Sequence, residues 1–198
     1  QELSSVESAL DDTLVDNSAA SGIVQSIGTR RVKRLKLPSR DSDLPERVGN
    51  YAPIRELGRG GMGVVYEAVN LRTDRKAALK VLITPGGSAS EVAVARFHVE
   101  ARAAGRLKHK NIVEVLDQDQ DPETGQQSLA MALVEGDTLW DKVRRDGALD
   151  EARGVEVLLE LADALTHAHG EKVLHRDLKP QNVILDALNK DRPMITDF

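Results

Sequence analysis

Between His175 and Asn182 the chain reads H-R-D-L-K-P-Q-N, which sets an imidazole, a guanidinium, a carboxylate, an ammonium and a carboxamide within eight positions. A structural turn has no need of so many reactive groups, so the run points to catalytic chemistry. Two further charges stand in apolar surroundings. Lys80 lies inside A-A-L-K-V-L, and Glu100 lies on or beside a stripe of Val94, Phe97, Ala101, Ala104 and Leu107 at helical spacing. A charge in such a place requires a partner, and each is the natural partner of the other. Upstream, glycines at 58, 60 and 63 let backbone amides approach phosphate oxygens without side-chain interference. His167, His169 and His175 do not form a zinc set: the first two, at i and i+2 of a helix, point in different directions, and no cysteine or suitably spaced carboxylate completes them.

These groups must be held by strands and tight turns. Tyr51 to Leu57, the glycine turn and Val64 to Val69 read as strand, turn and strand. A dinucleotide fold would need G-x-G-x-x-G to open a helix, and a Walker loop would need G-K-S/T after its last glycine; here Gly63 is followed by the β-formers Val64, Val65 and Tyr66. Lys76 to Ile83 form the next strand, closed by Pro85, Gly86 and Gly87. Ser88 and Glu91 have capping-box spacing at the head of the helix that carries Glu100. The run H-K-N-I-V-E-V-L-D leads from that helix into a strand, residues 119–127 form a polar hairpin loop, and Leu129 to Val134 read as a buried strand. Thr138 to Arg145 predict a short helix. Ala152 to His169 predict a longer one, capped by Asp150 and ended by Gly170, with Val155, Leu158, Leu159, Ala162 and Leu165 on its packed side. Lys172 to Leu174 and Val183 to Leu185 read as short strands holding the reactive loop, with Pro180 keeping Lys179 extended.

Composition narrows the classes. An apolar fraction of 40% over 198 residues supports a real core. A net charge of −5, with both signs interspersed from Tyr51 onward, gives no electrostatic footprint for nucleic acid. There is no cysteine, which excludes disulfide scaffolds and thiolate metal sites, and the apolar runs are too short for a membrane span or signal core. Aromatics at 3% argue against stacking surfaces for bases. Residues 1–48 show no sustained periodicity and predict a disordered or extended charged leader, acidic up to Ala20 and basic over Arg30, Arg31, Lys33, Arg34 and Lys36.

In order, G-R-G-G-M-G-V-V-Y-E-A, A-A-L-K, Glu100, H-R-D-L-K-P-Q-N and the terminal T-D-F resemble the glycine-rich loop, strand-3 lysine, helix-C glutamate, catalytic loop and opening of D-F-G of eukaryotic-type (Hanks-type) serine/threonine protein kinases, bacterial branch. The resemblance runs from Tyr51 to Phe198. It implies an α+β, protein-kinase-like fold: a five-stranded N-terminal lobe with helix C over 49–135, and the first part of a mainly helical C-terminal lobe over 136–198.

It also implies transfer of the ATP γ-phosphate to serine or threonine hydroxyls of a protein substrate, with two Mg2+ ions that Mn2+ could replace. Asp177 would orient or accept the hydroxyl proton and Lys179 would steady the γ-phosphoryl group. Asn182 and Asp197 would hold metal, and Lys80, oriented by Glu100, would reach the α- and β-phosphates. Gly58, Gly60 and Gly63, with Leu57 just before them, would cover the nucleotide. Val65 and Ala78 above and Ile184 below would clamp adenine. Met131 looks like the gatekeeper, and the backbones of Ala132 and Val134 look like the hinge that hydrogen-bonds adenine. His175 looks structural, packed near Phe198. Arg176 resembles the arginine that reads a phosphorylated activation segment, and Thr13 in D-D-T-L-V-D resembles phosphothreonine sites read by forkhead-associated modules.

The chain stops at Asp197-Phe198, before the glycine of D-F-G and the peptide-docking lobe. The expectation is therefore weak or no transfer by these 198 residues alone, with a partner chain or a further segment completing the lobe. The kinase region is expected in the cytoplasm, with room for a membrane anchor beyond the end. A non-catalytic kinase-like regulatory fragment is the first alternative, although Lys80, Asp177 and Asp197 are all present. A small-molecule phosphotransferase is the second, disfavoured by the lysine in D-L-K-P-Q-N.

Overall fold

Valine- and alanine-rich runs broken by turn residues build an antiparallel sheet of β1 (Tyr51–Gly60), β2 (Gly63–Asn70), β3 (Lys76–Leu82), β4 (Val115–Gln120) and β5 (Gln127–Ala132), in the order β1-β2-β3-β5-β4. The computed structural model describes residues 44–60, 63–83, 91–121 and 124–198, so Thr13 and Ser88 lie outside the described residues. Register fixes the two faces. Val65 pairs with Lys80, Lys80 with Leu129, and Ala78 with Met131, so these five side chains share one face of the sheet. Val64, Tyr66, Ala77, Leu79, Val81 and Ala130 point the other way and pack with Tyr51. Val48, assigned to the leader by sequence, belongs to this core, with Leu44 against it.

Helix α1 (Glu91–Ala104) covers part of the Lys80 face, burying Phe97 and Ala101 against Leu82, Val113, Leu129 and Met131. Val94 and Ala104 are half-buried and Leu107 is buried beyond the helix end, so the stripe read from sequence is the packed one.

The second half consists of α2 (Leu139–Asp146), α3 (Glu151–Gly170) and a hairpin of β6 (Val183–Asp186) and β7 (Arg192–Ile195). Both helix starts are capped, Asp150 as expected by accepting from the Arg153 N–H, and Thr138, read from sequence as the first residue of its helix, by accepting from the Asp141 N–H. The segment between the halves is clamped to β6 by bonds from Leu185 N–H to Asp137 O and from Ala187 N–H to Glu135 O, each 2.8 Å. Glycine at 136 is required there, since a Cβ would lie 1.8 Å from the Leu185 carbonyl oxygen.

Two sequence expectations need correction. α3 packs through Val157, Leu161, Ala164 and Ala168, whereas Val155, Leu158 and Leu159 are 50–67% exposed and Ala162 is exposed; of the expected set only Leu165 reaches the core. α3 carries apolar residues on two faces, and the face that meets Leu107, Ile112 and Ile195 is the one buried. Lys172 to Leu174 is not a strand. It continues the exit of α3, with Lys172 N–H and Val173 N–H bonded to His169 O and Ala168 O. Lys172 takes a positive φ of 61° in that turn, and β6 pairs with β7 instead.

Among the described residues no helix is long and apolar enough to cross a membrane.

Candidate active site

The reactive loop is a strained turn fastened at both ends. Arg176 sits at φ 62° between His175 O and the Asp177 N–H, which are 2.8 Å apart, a three-residue γ-turn of the rarer hand. His175 is buried, and its Nε2 donates to the Thr196 carbonyl at 2.9 Å, which leaves Nδ1 facing the Asp177 N–H at 3.4 Å. Its ring lies 4.8 Å from the Phe198 ring. The imidazole is therefore committed on both nitrogens and fastens the loop to residues 196–198.

Lys179 is extended, as Pro180 requires, and its ammonium lies 2.6 Å from Asp177 Oδ2. That hydrogen bond, aided by the Lys179 charge and by Asn182, holds the Asp177 carboxyl below the usual carboxylate range. Asp177 is thus ionised at neutral pH and exposed at the cleft floor. Asn182, buried at the end of a 3-10 turn, donates from Nδ2 to Asp177 O at 2.9 Å and lies 3.4 Å from Oδ2. Its Oδ1 is left uncommitted among the described residues.

Lys80 reaches across from the sheet to Asp197, 2.8 Å from Nζ to Oδ1. Asp197 sits at φ 61°, a conformation an ordinary residue adopts only where its surroundings impose it. The expected Lys80–Glu100 pair is not made. Glu100 lines the same cavity, but the ammonium is taken by Asp197, which follows β7 directly. That cavity measures about 1070 Å3 and gathers the glycine turn, Val65, Lys80, Glu100, Asp177, Asn182 and Asp197. It is ample for a nucleotide on the scale of small-molecule sites, roughly 300–1,000 Å3. A small void of about 20 Å3 behind it is lined by Met131, Phe97, Leu129 and Phe198.

The three glycines are not equivalent. A Cβ on Gly63 would lie 2.1 Å from the Val81 carbonyl oxygen, so the sheet itself demands glycine there. On Gly58 and Gly60 a Cβ would meet no protein atom within 4 Å, so packing does not require glycine there and the backbone is left open to close approach. Ala78 and Ile184 are half-buried and Leu57 is 39% exposed. The Ala132 N–H donates to Glu114 O at 2.8 Å, while the Val134 N–H has no partner among the described residues.

Among the described residues no three His, Cys, Asp or Glu side chains converge on a metal position. The Asp197 carboxylate and Asn182 Oδ1 are instead hard oxygen donors of the kind that hold Mg2+ alongside substrate phosphates.

Sequence reasoning missed Asn111, which is wholly buried. Its Nδ2 donates to Glu160 Oε2 at 2.7 Å and to Pro193 O at 2.8 Å, and its carbonyl accepts from the Ile195 N–H at 2.8 Å. It thereby fixes β7 and the strand end that presents Asp197. The only signal was a polar residue beside the apolar Ile112 and Val113.

The family model for the protein kinase domain matches residues 51–198. The chain is 41% identical over 150 residues to the serine/threonine-protein kinase PknD of Mycobacterium tuberculosis, covering 76% of this chain and 22% of that protein. It is also 41% identical over 152 residues to the serine/threonine-protein kinase pkn3 of Myxococcus xanthus, covering 74% and 27%. The crystal structure of the Mycobacterium tuberculosis PknI kinase domain superposes with a TM-score of 0.64 at 34% identity, covering 78% of this chain and 62% of that one. The chain thus spans about a quarter of the length of these curated relatives.

Proposed function

The chain belongs to the protein kinase domain family, in its bacterial serine/threonine branch, and from that footing we propose that it transfers the γ-phosphoryl group of ATP to a serine or threonine hydroxyl of a protein. The observation that carries this reading is the meeting, in one cavity, of the Lys80–Asp197 pair from opposite halves of the fold with Asp177 and Asn182 beneath two glycines that packing does not require.

In this reading adenine lies between Val65 and Ala78 on the sheet face and Ile184 below. Met131 closes the rear, and the free Val134 N–H supplies a hydrogen bond. Backbone amides of the glycine turn lie over the phosphates. Mg2+ bound by Asn182 Oδ1 and the Asp197 carboxylate would supply neutralisation of phosphate charge. Lys80 would reach the α- and β-phosphates, with Glu100, which lines the same cavity, as its counter-ion. Asp177, ionised and held by Lys179 and Asn182, orients the substrate hydroxyl and takes its proton. Lys179 then has the γ-phosphoryl group within reach. The arrangement works by positioning and charge, as phosphoryl transfer requires.

The test is incorporation of labelled phosphate into the protein itself or a generic protein substrate, for the 198-residue parent and for Asp177→Asn. Transfer by the parent that disappears in the variant is expected. Equal signal from both removes Asp177 from this role, and the difference rather than the absolute rate is the readout.

A further inference from the structure

We propose that Glu56 and Arg59 form a register lock for the glycine turn: their ion pair closes a β-bulge in β1 and so fixes which side chains of the β1–β2 hairpin end face the nucleotide cavity. The lock rests on the phosphotransfer reading only in naming a nucleotide as the occupant of that cavity.

β1 pairs with β2 through Glu56 and Tyr66, Gly58 and Val65, Arg59 and Val64, and Gly60 and Gly63, with a register shift between Glu56 and Gly58. Leu57 is the extra residue, so Leu57 and Gly58 together oppose Val65. Strict alternation would put Glu56 and Arg59, three positions apart, on opposite faces of the sheet. The bulge brings them to one face, because their cross-strand partners Tyr66 and Val64 both belong to the core on the side away from Lys80. There Arg59 donates from Nη2 to Glu56 Oε2 at 2.6 Å and from Nε to Oε1 at 3.2 Å, a two-pronged pair. Tyr66, buried beneath, also interacts with Arg59 through its hydroxyl.

The consequence falls on the other face. A ladder without the bulge would set Leu57 alone opposite Val65 and Arg59 opposite Gly63, which turns the guanidinium to the cavity side. Arg59 already lines the cavity between Gly58 and Gly60, so the register decides whether its side chain enters or leaves that space. The bulge turns it away and the Glu56 carboxylate retains it. Glu56 itself does not line the cavity and is therefore a positioning residue, acting through Arg59 on the backbone of the two glycines. Both side chains are well exposed, 56% for Arg59 and 36% for Glu56, so the pair matters little to global stability and its effect is confined to the hairpin end.

Amide hydrogen exchange over residues 56–60 and 63–66, without nucleotide, tests the lock. Glu56→Gln and Arg59→Gln are each expected to speed exchange there about two- to fivefold, the factor an exposed ion pair carries, with residues 77–81 of β3 and Tm unchanged. Arg72→Gln, on the exposed β2–β3 turn, should change none of these. The double variant should exchange no faster than either single one, because the same pair is lost. The swap Glu56→Arg, Arg59→Glu should restore protection, and the parent's protection should fall toward that of the single variants as salt is raised. Titration with a fluorescent ATP analogue and Mg2+ adds a second readout: Arg59→Gln should bind more weakly than the parent and the swap should recover, whereas an unlocked carboxylate at position 59 would repel the phosphates. Unchanged exchange in both single variants, additive effects in the double variant, or a swap as unprotected as the single variants would overturn the lock. A parent whose variants show these exchange effects but which binds no nucleotide leaves the lock standing and removes the phosphotransfer reading.

Discussion

Replacing Asn111 by alanine tests whether one buried amide holds the strand that delivers Asp197. The substitution keeps the main-chain bond from the Ile195 N–H and deletes both side-chain bonds, to Glu160 at 2.7 Å and to Pro193 O at 2.8 Å. A hydrogen bond to a charged group contributes ~1.5–3 kcal/mol and one to a neutral carbonyl ~0.5–1.5 kcal/mol. Against this, Asn111 Oδ1 is itself buried without a partner, and removing an orphaned acceptor returns ~1–3 kcal/mol. The small void left by the amide adds a cavity penalty of ~1 kcal/mol. The net loss is about 2 kcal/mol, which for a domain of this size lowers Tm by roughly 4–8 °C. Thermal unfolding followed by circular dichroism at pH 7 measures it. Asn111→Asp should be worse than alanine, because it sets a second carboxylate against Glu160. A Tm within about 1 °C of the parent for alanine, or an aspartate variant no worse than alanine, would refute the reasoning.

Lys80→Met should abolish phosphate incorporation while leaving thermal stability within about 1 kcal/mol of the parent, since the pair it breaks is partly solvated; full activity would reject its role at the phosphates. Gly58→Ala should leave Tm unchanged and weaken nucleotide binding measured by calorimetry. Gly63→Ala should destabilise the fold by ~1–3 kcal/mol because its Cβ would collide with Val81 O. Glu67, buried in β2, is held below the usual carboxylate range mainly by its bond to Lys76 and also by Arg55. Its contribution is therefore present above pH 4.5 and lost as pH falls through the lower folded-state value. Melting curves across that acid range should show a shallower fall for Glu67→Gln than for the parent.

The strands, the two capped helices and most of the site were legible along the chain because their causes are local. β-branched runs broken by Gly and Asn make strands wherever they fold, and Thr138 and Asp150 cap whatever helix follows them. The dense loop at His175 to Asn182 carries its chemistry in its residue types. Lys80 was suspect from its apolar neighbours alone, and its place opposite Val65 and Leu129 follows once the strands pair.

Other features depended on contacts between distant segments. α3 has two apolar faces of similar spacing, and helical period cannot choose between them; the choice fell to Leu107, Ile112 and Ile195, which meet Val157, Leu161, Ala164 and Ala168. The sequence pointed to Glu100 as the partner of Lys80, whereas the docking of β7 through Asn111 puts Asp197 at 2.8 Å from its ammonium instead. The kinds of chemical group and the local elements carrying them were thus set by the sequence, through propensity, capping and side-chain type. Tertiary structure decided which charges meet, which helix face is dry and which glycine the fold itself needs, because those depend on distances between residues far apart in the chain.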